Sequence, residues 1–532
     1  MKRGRVLGAG ASLLARAPCS LTVFVVCAAW LALSLAWRPL MLPDEGRYVG
    51  VAWEMLGSGN WLVPTLDGLP FFHKPPLFYW LTAASLGLFG ANEWSARAAS
   101  LLAATAAVVG LHLFLRRHSP DERLPAVAAA VLLTLPLFFG GAQFANLDML
   151  VAAMISLTIL FGAYAVLSLE CAVPHRVPLT LAYVFAALGV LAKGLIGVVL
   201  PAAVVLVWLI VSKRWRHLPA LLPLHLVLML LLIVVPWFWA MQQAYSDFLD
   251  YFFVHHHFQR FAQTGFNNPK PFWFYLPVLL VGAFPWSPWM VRALTPRYLQ
   301  DPARFDLRSL MVVWLLVVLL FFSLPSSKLV GYILPALPPL ACLLADVFLA
   351  WLGQRSPARQ RVYARGGVLV AGGLCLALVL IAAQRSDPVA REQIVGAAPL
   401  FRTDDQIVML DDYRYDLPVY LKARKSPWVV SDWARPDLLA KDNWRRELYE
   451  AGRFDPAAAR ERLLFPADLR LRACGEPPYA LWIWGKKAMA SDYPFLRDEW
   501  RVLTTADDDA LWRIAPEASR ALRGCDETPK NG

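Results

Sequence analysis

Long apolar runs broken by short polar joints fill most of the chain. LTVFVVCAAWLALSLAW (21–37) and HLVLMLLLIVVPWFWAM (225–241) are two of them. Each approaches the roughly 20 residues that carry a helix across a bilayer. Read end to end, the pattern predicts about eleven spans. They fall near 20–41, 95–115, 124–140, 147–168, 178–193, 194–212, 219–240, 271–292, 307–323, 330–351 and 364–384. The first is read as an uncleaved span, because its apolar stretch exceeds the roughly 7–15 residues of a signal-peptide core and no A-x-A-like site follows.

The run PPLFYWLTAASLGLFG (75–90) is short for a span, and charge decides its reading. If it lies at the interface, Arg116-Arg117, then Lys213, Arg214 and Arg216, then Arg292, Arg297, Arg304 and Arg308, then Arg355, Arg359, Arg361 and Arg365 all fall on the cytoplasmic side. The longest loops of the outer face are then 42–94 and 241–270. Few cations remain on that face: Arg38, Arg47, Lys74, Arg97, Lys193, Arg260, Lys270 and Lys328. Asp44, Glu45, Glu54, Asp67, Glu93, Asp148 and the run His255-His256-His257 gather on the same side.

After about residue 385 the apolar runs shorten and charges become frequent. QIVML (406–410), PVYL (418–421), WVV (428–430), YALWIW (479–484) and ALWRI (510–514) read as strands, and DNWRRELYEAG (442–452) and AAARERLL (457–464) as helices. The expected organisation is an α-helical polytopic membrane domain over 1–385 and a soluble α/β domain over 386–532. An odd number of spans from a cytoplasmic N-terminus puts the second domain outside the cytoplasm.

Composition agrees: 58% of the 532 residues are hydrophobic and 17% charged, with 22 Trp. That excludes an ordinary soluble globular protein. The net charge of +12 would suggest nucleic acid in a soluble chain. Here positively charged cytoplasmic loops account for it, and no nucleic-acid partner is expected. None of the seven cysteines forms a C-x-x-C pair. Cys474 and Cys525 alone share the polar C-terminal region, where an oxidising compartment would let them pair.

Six stretches carry candidate chemistry. PDEGRY (43–48) sets two carboxylates and Arg47 where the chain leaves the first span; it reads equally as a helix start with Asp44 as N-cap. FFHKPPL (71–77) places Lys74 before two prolines, either snorkelling to lipid phosphates or facing an anion in a cavity. LAKGLIG (191–197) interrupts about thirty apolar residues with Lys193, and a near-membrane lysine marks a functional site by default. NLDML (146–150) puts Asp148 at the outer start of a span, as an N-cap or a site acid. FFVHHHFQRF (252–261) supplies three histidines and Arg260, whose planar fork suits phosphate oxygens. SSKLVGYILPALPPL (326–340) is expected to set Lys328 and Tyr332 on one helix face. Four cations near one membrane surface could neutralise a phosphodiester or diphosphate, which points to a lipid-phosphate substrate.

At these residues the chain resembles a known family. The ordered motifs DEGRY, GSGNWLVPTLDGLPFFHKPPLFYW, LFGANEWSAR, LAKGL, HFQRF, PFWFYLPVLLVGAFPW and KLVGYILPALPPLA, over about 20–350, resemble the bacterial aminoarabinose (4-amino-4-deoxy-L-arabinose) lipid A transferases. These belong to the protein-mannosyltransferase-like superfamily of GT-C glycosyltransferases. The resemblance implies an inverting transfer of a sugar from undecaprenyl phosphate to lipid A phosphate, at the periplasmic face of the bacterial inner membrane. It also implies resistance to polymyxin and other cationic antimicrobial peptides. It matches Asp44, Asp148 and Lys74 to catalytic positions. Arg47, Lys74, Lys193, Arg260, Lys328 and Tyr332 match phosphate-binding ones. The family pattern F-E-K-P-P-L has His73 here in place of Glu. His73 could ligate a divalent metal such as zinc with His255. It would not counter a sugar amine as Glu does, so a neutral hexose or a hexosamine, moved to a protein or glycan hydroxyl, is the alternative. A transporter for a lipid-linked sugar is a third reading, but repeated halves and midplane charges are not evident. The expected partners are the lipid-linked donor, lipid A and membrane lipids, no cofactor is required, and the chain is expected to act as a monomer.

Overall fold

A computed structural model describes residues 20–253, 269–293, 295–439, 443–474, 479–493, 496, 501–505 and 508–516. Among them, seven helices are long and apolar enough to cross a membrane: Glu93–His118, Leu147–Glu170, Arg176–Lys193, Leu224–Ala244, Phe305–Ser323, Val330–Leu352 and Pro357–Gln384. Two bent pairs raise the number to nine. Leu124–Leu133 meets Pro136–Ala142 at 67°, and Phe272–Gly282 meets Ser287–Ala293 at 119°. Proline opens the second half of the first pair and lies at the break of the second, where its missing N–H ends the hydrogen-bond ladder. Ser20–Ala32 and Ile196–Val211 are shorter apolar helices. Each expected span therefore corresponds to a helix or a bent pair, and this is a multi-pass membrane protein.

The first expected span, 20–41, is helical only to Ala32. Beyond it the chain leaves the helix and its carbonyls turn to a buried arginine. Arg97 donates to the oxygens of Leu35, Arg38 and Pro39 at 2.5, 3.0 and 2.8 Å. The stretch 75–90 forms the helix Leu77–Phe89. At about 1.5 Å per residue its 13 residues reach about 20 Å, short of the ~30 Å hydrocarbon layer. It buries Phe78, Tyr79 and Ala83 and exposes Leu88 and Phe89, as suits a helix resting on a bilayer. The helix Asp44–Ser58 precedes it, joined through the hairpin β1 (Thr65–Leu66) and β2 (Leu69–Pro70).

The C-terminal part is a six-stranded sheet of β3 (Gln406–Leu410), β4 (Trp428–Val430), β5 (Leu463–Leu464), β6 (Leu481–Lys486), β7 (Arg501–Thr504) and β8 (Asp509–Ile514), in the order β5-β4-β3-β6-β8-β7. β3 lies parallel to β4 and β6, while β8 runs antiparallel to β6 and β7. Every residue of β3 is buried, as expected of a strand covered on both faces. PVYL departs from the strand expectation: Leu417–Tyr420 is a short helix. Pro418 suits a first helical turn, and Tyr420 leaves the sheet to contact the membrane part. Its hydroxyl accepts from the Leu40 N–H at 3.0 Å and lies 3.2 Å from Glu93 Oε1.

This sheet domain is seated on the first loop. Arg391 grips Glu93, at the N-terminus of Glu93–His118, with contacts of 2.6 and 3.0 Å. The Trp53 indole donates to the Ala423 carbonyl at 2.7 Å, and Phe72 packs on Phe454 at 4.6 Å. A close approach falls at Gly46. A Cβ there would lie 2.5 Å from Leu42 Cδ2, 2.8 Å from Tyr415 Cβ and 3.2 Å from the Asp416 nitrogen. Gly46→Ala is therefore expected to loosen the domain from its seat, seen as faster limited proteolysis between residues 385 and 405 with the membrane helices intact. Unchanged cleavage would mean the contact yields.

Candidate active site

Asp44 and Glu45, adjacent in sequence, have opposite environments. Glu45 is fully buried and accepts from Arg97 Nε at 2.8 Å and Nη2 at 3.0 Å, Ala145 N at 2.7 Å and Met41 N at 2.8 Å. It also pairs with Arg38, itself buried and donating to the Gln143 carbonyl at 2.7 Å. Burial pushes the Glu45 carboxyl up, but Arg97 and Arg38 pull harder and bring it down to about 2. Glu45 is thus a fixed anion joining the first loop to the Glu93–His118 helix, closed to solvent and substrate. The expected N-cap role of Asp44 is not realised. Asp44 is the first residue of the helix Asp44–Ser58, whose N-cap position is Pro43. Its carboxylate, about half exposed, pairs instead with Arg47 one turn on.

Arg47 has a second carboxylate, from the other domain. Its Nη1 donates to Glu447 Oε1 at 3.3 Å. His73 Nδ1 lies 3.5 Å from the same oxygen, and the Tyr415 hydroxyl donates to Oε2 at 2.8 Å. Burial works against the Arg47 charge, yet Glu447, with Asp44 among the lesser contributors, raises it above the ordinary arginine range. The His73 ring is set between Phe71, 4.5 Å away, and Tyr251, at 6.5 Å. Lys74 follows at this corner, partly buried.

A second cluster forms where three spans begin or end. Asp148 opens Leu147–Glu170 and Lys193 closes Arg176–Lys193, so the up-and-down order brings both to one end of the bundle. They form an ion pair there, with side chains 11% and 16% exposed. The Lys193 ammonium also lies 4.2 Å from the centre of the Tyr332 ring. Gly331 makes the approach possible: a Cβ there would lie 2.5 Å from Asp148 Oδ2. The N-cap of this span is Asn146, which accepts from the Asp148 N–H at 2.9 Å, so Asp148 is released from capping. The Arg47 guanidinium lies 5.3 Å from the centre of the Tyr48 ring. Burial pushes its hydroxyl pKa up, Arg47 opposes this, and the charges of Asp44 and Asp148 add to the rise.

Lys328 and Tyr332 do not share a helix face. Lys328 lies in extended chain after the bridge at Ser327, and the 3₁₀ segment Val330–Ala336 begins beyond it. Proline at 325 and 335 shortens the helix that the apolar pattern suggested. Lys328 is 2% exposed and donates to the carbonyls of Lys270, at 3.1 Å, and Pro325. That clamps two loop segments together. Arg260, His255 and the proposed partner Cys525 lie outside the described residues.

The expected metal pair of His73 with His255 lies partly outside the described residues. Arg47 holds a guanidinium against the same Glu447 oxygen that faces His73. Among the described residues, no three His, Cys, Asp or Glu side chains gather as a ligand group.

A helical membrane part with charged clusters at one end, carrying a separate sheet domain above them, is the architecture of GT-C glycosyltransferases. The fold matches ArnT from Cupriavidus metallidurans bound to undecaprenyl phosphate, with TM-score 0.76 and 22% identity over 94% of this chain and 98% of that one. It also matches the oligosaccharyltransferase AglB from Archaeoglobus fulgidus, with TM-score 0.50 and 12% identity over 89% of this chain and 70% of that one. Residues 73–239 match the model of the dolichyl-phosphate-mannose-protein mannosyltransferase family. The undecaprenyl phosphate-α-4-amino-4-deoxy-L-arabinose arabinosyltransferase of Pseudomonas aeruginosa (strain LESB58) is 33% identical over 429 residues, 78% of this chain and 75% of that relative. That of Pseudomonas paraeruginosa is 34% identical over 74% of this chain and 70% of the relative. For Pseudomonas savastanoi pv. phaseolicola the match is 34% over 67% of this chain and 66% of the relative. The chain belongs to this arabinosyltransferase family.

Proposed function

We infer that this glycosyltransferase moves 4-amino-4-deoxy-L-arabinose from undecaprenyl phosphate to a phosphate of lipid A. The site faces the periplasm, in the bacterial inner membrane, and the product lowers affinity for polymyxin and other cationic peptides. The observation that carries the reading is the cluster of Lys193, Asp148 and Tyr332 at one end of the bundle, with Asp44 and Arg47 paired where the chain leaves the first helix. A charged phosphate head at the membrane surface needs such a group of cations and acids.

The transfer is a single inverting displacement. An acceptor oxygen attacks the anomeric carbon, the bond from that carbon to the phosphate oxygen breaks, and undecaprenyl phosphate leaves with the electron pair. Charge grows on the departing phosphate, where Lys193, Lys74, Arg47 and Arg260 neutralise it. Asp148 holds the Lys193 ammonium in place. A lipid A phosphate is already ionised and needs no base, so Asp44 then orients Arg47 and the acceptor. A hydroxyl acceptor would need Asp44 as general base.

Asp44→Asn is accordingly expected to keep transfer to phosphate within about tenfold of wild type and to lose transfer to a hydroxyl acceptor by about 10²–10⁴-fold. Full activity on both would remove Asp44 from the chemistry. The reading itself is tested by mass spectrometry of lipid A from cells with and without the protein. Aminoarabinose-modified phosphates that disappear on deletion support it; unchanged lipid A sinks it and favours another sugar or acceptor. The alternative of a neutral sugar rests on the lost acid at His73. Glu447 lies beside His73 but is already engaged by Arg47 and Tyr415, so the sugar found on lipid A decides between the two readings.

A further inference from the structure

We propose that Glu447, from the C-terminal domain, is a positioning residue of the transfer site that sets Arg47 and His73 in register across the domain boundary. The inference rests on the transferase reading and adds a working part to it.

The local sequence explains how Glu447 gets there. Asn443 caps the helix Trp444–Gly452 by accepting from the N–H groups of Arg445 and Arg446 at 3.0 and 3.2 Å. Leu448 and Ala451 are buried on the inner face of this helix, and Glu447, 6% exposed, is buried with them. A carboxylate so placed is costly unless its oxygens find partners. Tyr415 supplies a hydrogen bond to one oxygen, while Arg47 and His73 meet at the other.

A second observation stands apart from this ion pairing. The lack of a side chain at Gly46 lets Tyr415 close directly onto the first-loop helix, one residue before Arg47. Backbone packing and side-chain pairing therefore aim the same corner of the sheet domain at the same turn. Asp44 is half exposed and shares Arg47 with Glu447, which is nearly closed to water. An exposed carboxylate holds a guanidinium loosely, and a buried one fixes its plane. With Glu447 neutral, Arg47 would swing to Asp44 alone, and His73 would lose its acidic neighbour.

The test uses the full chain with the aminoarabinose donor and lipid A. Glu447→Gln keeps the shape and can still accept from Tyr415. It is expected to lower kcat by about tenfold with the donor KM little changed, when assayed well below a melting temperature that itself falls because one partner of a buried ion pair is neutralised. Glu447→Asp should recover part of the rate. Arg47→Lys combined with Glu447→Gln should be slower than Arg47→Lys alone by clearly less than the tenfold of Glu447→Gln, since the two share the Arg47 contact and only the His73 contact is lost in addition. Wild-type kcat in Glu447→Gln, or losses that multiply in the double variant, would overturn the inference. Should Glu447→Gln fail to fold, Tyr415→Phe carries the question: a kcat loss of about threefold at unchanged melting supports it and a wild-type rate overturns it. An inactive wild type would overturn the transferase reading and this inference together. An active wild type matched by its variant overturns the inference alone.

Discussion

Replacing Lys193 by methionine is expected to lower kcat for sugar transfer by about 10²–10³-fold, the loss seen when one preorganised donor to a developing oxyanion is removed. Lys193 is the cation with the most exact setting among the described residues of the site. It closes a span, with Gly194 as its cap, pairs with Asp148 and lies against the face of Tyr332. Methionine keeps the length of the stem and removes only the ammonium. Two losses follow and they can be told apart. Asp148, 8% exposed, is left without its counter-charge, which costs stability. The leaving phosphate loses a donor, which costs rate. Asp148→Asn combined with Lys193→Met should return the melting temperature toward wild type while the rate stays low. A double variant that transfers at the wild-type rate would reduce Lys193 to a packing role.

Glu45→Gln is expected to cost the first loop about 3–5 kcal/mol, as when one partner of a buried ion pair is neutralised. Two buried guanidiniums would face an amide with one oxygen, whose NH₂ points donors at donors. The ion network Arg38–Glu45–Arg97 fixes the base of the helix that carries Asp44 and Arg47, so transfer should fall together with the melting temperature. The same carboxyl predicts a pH dependence. Its pKa is held at about 2 when folded, against 4.5 when free. Its contribution is therefore complete above about 4.5 and is lost as pH falls toward about 2. Thermal melting in detergent from pH 7 to 3 would check it. The wild type should lose stability below about 4.5, and Glu45→Gln should lack that part of the decline. A variant as stable as wild type at pH 7 would refute the structural role.

The apolar periodicity made most spans readable, because lipid leaves a helix no other way to satisfy its backbone. It misled where tertiary contacts overrule composition. Residues 33–41 are apolar enough for a helix, yet their carbonyls serve Arg97. Lys328 looked like a helix residue because its neighbours are apolar, but it clamps two loops through their carbonyls. In the site, Lys193 and Asp148 are each legible in the sequence, and their pairing follows from one being at a helix end and the other at a helix start. Glu447 was invisible. It lies 400 positions from Arg47, and a glutamate on an amphipathic helix is ordinary surface sequence until the fold closes. Gly46, within the quoted DEGRY motif, carried the one local hint: a small residue on a helix marks a close neighbour.

The seat of the sheet domain on the first loop also orders events in the making of the chain. Arg47 and His73 are among the first segments to leave the ribosome, while Glu447 is synthesised after the last apolar helix, Pro357–Gln384. A nascent chain that has delivered every helix of the bundle still holds an incomplete pocket. Under the role proposed for Glu447, transfer reaches its full rate only after this later segment has folded back onto the first loop, and a chain stopped short at Gln384 would keep Arg47 and His73 without the carboxylate that meets them.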